Sequence, residues 1–261
     1  MALAELAELQ YRLGDWPAAY ASASEAVGTA QLAGLHRQTM RGLAGLALVE
    51  AGLGRAEACR THGGRAIELS RRYNSRAVEA LAGEAVGFLE LGQGRIDTAI
   101  ERLERVERIC LQSPSAWASA VTWAQDLADA YIRRGDRVGA ERVVARLEGR
   151  ASQSGSCLLA AALERCRAML APEDRFEEAF QRALEWAGRT RQPFEVARTK
   201  LCFGERLRSA GRPDEAREFL HGALDAFEAL RSEPWAKRAR QELAAASARA
   251  RRAHDREEQD R

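Results

Sequence analysis

Residue types that could carry out catalysis or hold a metal are few in this sequence and are not grouped. Glu218 and His221 form one Glu-x-x-His pattern on a predicted helix, whereas a di-iron site in a helical bundle needs two such patterns and two further glutamates. Cys59 and His62 would share a helix face, but no further ligand lies near them in the sequence. The His-Glu-x-x-His pattern of zinc proteases and the Gly-x-Ser-x-Gly pattern of hydrolases are also absent. We therefore expect no catalytic site, no metal site and no cofactor, and predict that the protein is not an enzyme.

The cysteines and the charges do not point to a specialised chemistry either. The five cysteines are odd in number and contain no Cys-x-x-Cys pair, so neither a disulfide framework nor a zinc site is expected. The 40 basic and 38 acidic residues are interleaved, which favours solvated helix faces over a nucleic-acid surface. The first residues include Glu5 and Glu8 and do not resemble a signal peptide. No apolar run reaches the ~18 residues of a membrane span, so we predict a cytoplasmic protein without membrane contact.

A small residue recurs about every forty positions, five residues after the centre of a turn. The intervals between successive small residues are 40, 40, 41, 39 and 37 positions. The small residues are Ala19, Cys59, Ala99, Ala140, Ala179 and Ala216. A fixed period of this length is typical of helical-repeat proteins, which act by presenting a binding surface. Each small residue is expected where the two helices of a repeat cross closely.

Each repeat is predicted to form two antiparallel helices, helix A before the turn and helix B after it. All six prolines fall in predicted loops or helix starts, which fits an all-helical chain. The predicted pairs are 2–13 with 17–33, 36–53 with 56–72, 76–92 with 96–112, 115–134 with 137–151, 157–171 with 174–191, and 194–210 with 213–231. We predict an all-α, right-handed superhelix of about six such pairs over 1–246, closed by a capping helix at 234–252. Residues 247–261 are predicted to form a charged tail or linker.

Two stretches resemble tetratricopeptide repeats, whose turn carries Gly-Asp-aromatic followed by alanine. They are Gly-Asp-Trp-Pro-Ala-Ala at 14–19 and Gly-Arg-Pro-Asp-Glu-Ala at 211–216. Repeats of about forty residues are longer than the thirty-four typical of that family. The resemblance is therefore to its longer, degenerate relatives.

The C-terminal third, about 160–246, contains six stretches that carry a more specific resemblance: Arg-Cys-Arg-Ala-Met-Leu at 165–170, Pro-Phe-Glu-Val-Ala-Arg-Thr-Lys-Leu at 193–201, Gly-Glu-Arg-Leu-Arg at 204–208, Phe-Glu-Ala-Leu at 227–230, Glu-Pro-Trp-Ala at 233–236 and Arg-Ala-Arg-Gln-Glu-Leu at 238–243. This succession resembles the helical-repeat region of the large ATP-binding LuxR-type transcription regulators, the family of the maltose-regulon activator. The resemblance implies a region between an ATPase and a helix-turn-helix domain that receives an inducer or partner and relays it to oligomerisation. The phosphate loop of such an ATPase is absent from the sequence, so ATP hydrolysis is not assigned to these residues. DNA would be contacted only through a separate domain.

The A helices of such arrays line the concave surface, which is the expected binding site. Aligning the repeats on their turns places seven polar residues and two tryptophans on that surface. They are Arg41, Glu84, Trp117, Thr122, Trp123, Gln125, Asp129, Arg198 and Glu205. Polar side chains with aromatic anchors suit a protein partner or a small effector, and self-association is a further expectation.

Two functions remain open from the sequence. The first is the regulatory repeat region of a LuxR-type regulator, which binds an effector or partner along its concave face. The second is a stand-alone adaptor that binds other proteins and has no role on DNA. In the first case, Gln125→Ala or Arg198→Ala is expected to alter the inducer response without unfolding the array.

Overall fold

The computed structural model describes residues 2–119 and 122–259, and every regular element in these ranges is an α-helix. The helices are α1 (Ala2–Leu13), α2 (Trp16–Leu32), α3 (His36–Leu53), α4 (Ala56–Arg72), α5 (Arg76–Gly92), α6 (Ile96–Gln112), α7 (Pro114–Ser119), α8 (Trp123–Arg134), α9 (Arg137–Ser154), α10 (Cys157–Leu170), α11 (Phe176–Arg189), α12 (Pro193–Ser209), α13 (Pro213–Ala229) and α14 (Glu233–Gln259). Within the described ranges, none of these helices combines the length and hydropathy that a bilayer crossing requires. The all-α fold class is confirmed.

The predicted order of helix pairs is confirmed except in the fourth A helix, with α1, α3, α5, α8, α10 and α12 as A helices and their successors as B helices. The six recurring small residues are all buried, with exposed fractions of 0% for five of them and 5% for Ala179. Five of the six turns contain a glycine with φ between +75° and +90°. A residue with a Cβ rarely adopts this left-handed conformation, which ends helix A and lets helix B fold back. The repeat period therefore reflects close helix crossings, as the sequence predicts.

The fourth A helix differs from the prediction. A continuous helix was expected over 115–134, but α7 ends at Ser119 and α8 begins at Trp123. The amide of Thr122 donates at 2.9 Å to the carboxylate of Glu84 on α5. In a continuous helix that amide would instead donate to the carbonyl four residues earlier. A side chain from another repeat thus takes the place of a helical hydrogen bond.

The last helix is longer than predicted. α14 continues to Gln259, whereas the capping helix was expected to end at 252. Much of the predicted 247–261 tail is therefore helical, and residues 260–261 lie outside the described ranges. The assignment of residues 247–261 as a linker stays a prediction.

The superhelix is wound so tightly that its last helix packs against the second and third repeats. Ser232 Oγ, just before α14, donates to the carbonyl of Gly52 on α3 at 2.7 Å. Phe194 of α12 lies at the centre, with its ring 5.3 Å from Trp16, 5.5 Å from Phe88 and 5.3 Å from Trp235. Aromatic rings from the first repeat, the third repeat and the last helix therefore contact one ring of the sixth repeat. Instead of the open groove that the repeats led us to expect, the concave side is largely an enclosed interior.

Candidate functional site

Five charged residues form an ionic cluster between α8, α12 and α14: Asp126, Asp129, Arg198, Glu205 and Arg238. Arg198 donates to Asp126 and, at 3.0 Å, to Asp129. Arg238 donates to Asp129 at 3.4 Å and to both oxygens of Glu205 at 2.7 and 2.8 Å. Arg198 is 1% exposed and Asp126 is fully buried. Such a buried arrangement is stable only while the charges compensate each other.

A second buried group links α8, α10 and α12. Arg165 donates to Glu195 at 2.9 Å, to the Thr199 hydroxyl at 3.2 Å and to the side-chain oxygen of Gln125 at 2.6 Å. The Gln125 amide in turn donates to Glu195 at 3.4 Å. Residues up to 70 positions apart are thereby fixed together in the interior. These side chains act first as cross-links between repeats.

The two aspartates of the ionic cluster are shifted in opposite directions. Burial raises the pKa of Asp126 to about 6, although Arg198 opposes this. Burial would also raise the pKa of Asp129, but Arg238 and Arg198 hold it well below its usual value. Asp129 lies against two guanidinium groups, whereas Asp126 is paired only with Arg198. The number of cationic partners therefore decides the direction of the shift.

A cavity of about 240 Å³ remains on the concave side, between α1–α3, α5, α8, α10 and α12. Four aromatic residues, which we call the aromatic wall, line part of it: Tyr11, Trp16, Phe88 and Phe194. Aliphatic side chains such as Leu48, Leu81 and Leu158 also line it, together with polar side chains, namely Glu84, Thr122, Gln125, Glu195 and Arg198. Glu8, Arg12 and Arg41 also contact the cavity and are exposed, so they mark its opening. An apolar surface with a few convergent polar groups is the usual character of a small-ligand site.

Glu84 is the least compensated charge in this cavity. Its Oε1 accepts hydrogen bonds from the amide and the hydroxyl of Thr122. Its Oε2 is buried and has no partner among the described residues. Burial raises the pKa of Glu84 to about 8; Thr122 opposes this shift, and Asp126 adds to it. A carboxyl group with this pKa is mostly protonated at neutral pH.

The structure brings together most of the residues expected on the concave surface. Five of them line the cavity: Arg41, Glu84, Thr122, Gln125 and Arg198. Asp129 and Glu205 belong to the ionic cluster instead. Their carboxylates are already bound by arginine side chains.

The two tryptophans expected as aromatic anchors are placed differently. Trp123 is fully buried, and its ring lies 5.1 Å from that of Trp117 in an edge-to-face arrangement. Neither ring lines the cavity, and Trp117 instead lies in a shallow depression beside Cys157 and Arg189. The aromatic surface of the cavity comes from the aromatic wall, which the alignment of the repeats did not identify.

Several interior residues were missed by sequence reasoning. Three of them are at most 5% exposed: Asp126, Arg165 and Glu195. In the sequence they look like ordinary charged residues on the solvent side of a helix. One signal was present, since Asp126 is the neighbour of Gln125 and Glu195 lies three residues before Arg198 on the same helix. What the sequence lacked was the identity of the partners, which come from other repeats.

Comparisons with known proteins confirm the fold. No protein-family model matches the sequence, and no curated protein matches it either. The crystal structure of a Rap protein complexed with Competence and Sporulation Factor is similar, with a TM-score of 0.64 and 12% identity, over 95% of this chain and 75% of that chain. The crystal structure of BtubC (BKLC) from P. vanneervenii is also similar, with a TM-score of 0.55 and 18% identity, over 80% of this chain and 90% of that chain. At these identities the likeness establishes the helical-repeat superhelix and nothing finer.

Proposed function

We propose that the chain is a helical-repeat recognition domain that receives a small effector, or the end of a peptide partner, in its interior cavity. The observation that carries this proposal is the 240 Å³ cavity itself, which lies on the concave side between α1–α3, α5, α8, α10 and α12. Its lining joins an aromatic wall to convergent polar groups, as recognition of an amphipathic ligand requires. The Rap protein of similar fold is complexed with a factor, which is consistent with a binding role.

Gly45 of α3 offers a direct test. It lines the cavity, and a Cβ added there would meet nothing within 4 Å. Gly45→Phe should therefore fill the cavity without unfolding the chain. Gly149→Phe is the matched control, because Gly149 on α9 also has open space and lies away from the cavity.

The measurement is retention of synthetic ligands by the immobilised chain, read by mass spectrometry. The probes are a random hexapeptide library and a library of metabolite-sized compounds. We expect the wild type and Gly149→Phe to retain the same compounds, and Gly45→Phe to lose them. Retention that is unchanged in Gly45→Phe, or no retention by the wild type, would contradict the proposal.

The finer assignment to a LuxR-type transcription regulator rests on the sequence resemblance over 160–246. In that setting the bound ligand would shift the population between inhibited and oligomerisation-competent arrangements of the whole regulator. The alternative is a stand-alone adaptor without a role on DNA. In-frame coding for a phosphate-loop ATPase before this chain and a helix-turn-helix domain after it would favour the regulator. The regulator and the adaptor would bind their ligand in the same cavity. Both proposals include a cytoplasmic location.

A further inference from the structure

Glu84 differs from the other buried carboxylates in the described part of the chain. Eight aspartates and glutamates are buried there, and seven form an ion pair with an arginine or histidine. The seven are Glu50, Glu79, Glu90, Glu107, Asp126, Asp129 and Glu195. Glu84 has hydrogen bonds from Thr122 but no cationic partner among these residues. Glu195 lines the same cavity but is paired with Arg165, so Glu84 alone among these buried carboxylates has neither an arginine nor a histidine partner.

The unpaired atom is suited to a donor from outside the chain. Oε1 of Glu84 is held by Thr122, which fixes the carboxylate, while the buried Oε2 remains without a partner. A buried acceptor left without a donor is costly, and a ligand that supplies the donor removes that cost. The unused oxygen and the cavity are therefore features of one site.

Resting on the proposed function, we infer that Oε2 of Glu84 binds the ammonium group of an amine ligand whose apolar body lies against the aromatic wall. A guanidinium group binds a carboxylate best through two parallel hydrogen bonds, which need both oxygens. Since Thr122 occupies Oε1, a compact ammonium donor fits better than a guanidinium group. The aromatic wall then selects amines with an aliphatic or aromatic chain.

Proton release accompanies such binding. Burial raises the pKa of Glu84 to about 8, so the carboxyl is largely protonated at pH 7 before the amine arrives. A bound ammonium stabilises the carboxylate, which lowers this pKa and expels the proton. The ionisable groups that face Glu84 or share its cavity or electrostatic surroundings are Glu8, Tyr11, Arg12, Arg41, Cys110, Asp126, Glu195 and Arg198. Arg198 is committed to two aspartates, so it does not neutralise Glu84.

The test is calorimetric titration of the whole chain at pH 7 with phenylbutylamine and with its neutral isostere phenylbutanol. The amine should bind about tenfold or more tightly than the alcohol, as a charge-assisted hydrogen bond implies. Titrations in buffers of different ionisation enthalpy should show close to one proton released for the amine and none for the alcohol. Glu84→Gln retains an acceptor for Thr122, so it should fold, bind both compounds equally and release no proton.

Glu141→Gln on α9 is the matched control, because Glu141 is exposed, is paired with Arg137 and does not line the cavity. It should keep the wild-type preference for the amine. Equal affinities in the wild type, no binding of the amine, or an unchanged preference in Glu84→Gln would each overturn the inference. The proposed function is tested separately. If the amine inference fails but the wild type retains library compounds that Gly45→Phe loses, the proposed function still holds. If library retention also fails, the proposed function fails separately.

Discussion

The ionic cluster and the Glu84 end of the cavity lie on the same concave side, and both contain buried carboxylates. The negative charges of these carboxylates are compensated differently in the two regions. In the ionic cluster, Asp129 accepts hydrogen bonds from two arginines that come from different helices. At the cavity, Glu84 is held by one threonine and meets no cation among the described residues. Polar residues on the concave side of a helical repeat are therefore of two kinds. Carboxylates that are paired with arginines hold the repeats together, and Glu84, which has no such partner among the described residues, is available to a ligand.

The largest expected loss of unfolding free energy comes from removing a cation from the ionic cluster. Arg198→Met keeps much of the side-chain volume but leaves Asp126 without its ion-pair partner. An uncompensated buried charge costs about 3–5 kcal/mol, so the free energy of unfolding in urea should fall by that amount. This replaces the expectation that Arg198→Ala would leave the array folded.

The matched control is Arg217→Met on α13, which breaks an exposed pair with Asp214. It should cost less than about 1 kcal/mol, because surface ion pairs are screened by water. If both variants lose the same small amount of stability, the ionic cluster is not the structural element that we describe.

The next effect is a pH dependence located at Glu84. Its pKa is raised to about 8 in the folded state, so its favourable contribution is fully present below the ordinary pKa of glutamate and is lost as the pH rises through 8. Glu84→Gln cannot ionise and should escape this loss. Relative to wild type, the variant should gain on the order of 2–4 kcal/mol in unfolding free energy between pH 5 and pH 9.

Urea titrations of both proteins at the two pH values measure this difference. Asp126 remains in both proteins, so most of its own loss of stability as the pH rises through about 6 is common to the two, and only its coupling to Glu84 differs. Glu8→Gln, at the exposed opening, should differ from wild type equally at both pH values. A flat difference for Glu84→Gln would mean that the carboxylate is compensated after all.

The smallest expected change in unfolding free energy is purely steric, and the two electrostatic changes can be compared with it. Ala140 is fully buried at the crossing of α8 and α9 and does not line the cavity. Ala140→Leu should overpack this crossing and lower the unfolding free energy by roughly 1–3 kcal/mol, with no change in its pH dependence. Equilibrium urea denaturation that shows no loss would contradict the assignment of the small residues to helix crossings.

The sequence was most informative about the local structure of each repeat. The glycine turns and the small residue five positions later depend on backbone conformation and helix contact within one repeat, so their spacing alone predicts the pairs. The fourth A helix is the exception, and its interruption involves Glu84, 38 residues before Thr122. A contact made by a residue in another repeat leaves no trace in the local pattern.

The sequence by itself determined that this chain is an all-helical array with polar residues on its A helices. Only the tertiary structure decided which of those residues are paired with each other and which remain open. The reason is that the winding of a superhelix sums small rotations at every repeat interface, so it brings together residues as distant as Gly52 and Ser232. Charge compensation depends on those distant neighbours. A sequence pattern can therefore place Glu84 and Asp129 on the same surface, but it cannot tell that Asp129 has two arginine partners and that Glu84 has none.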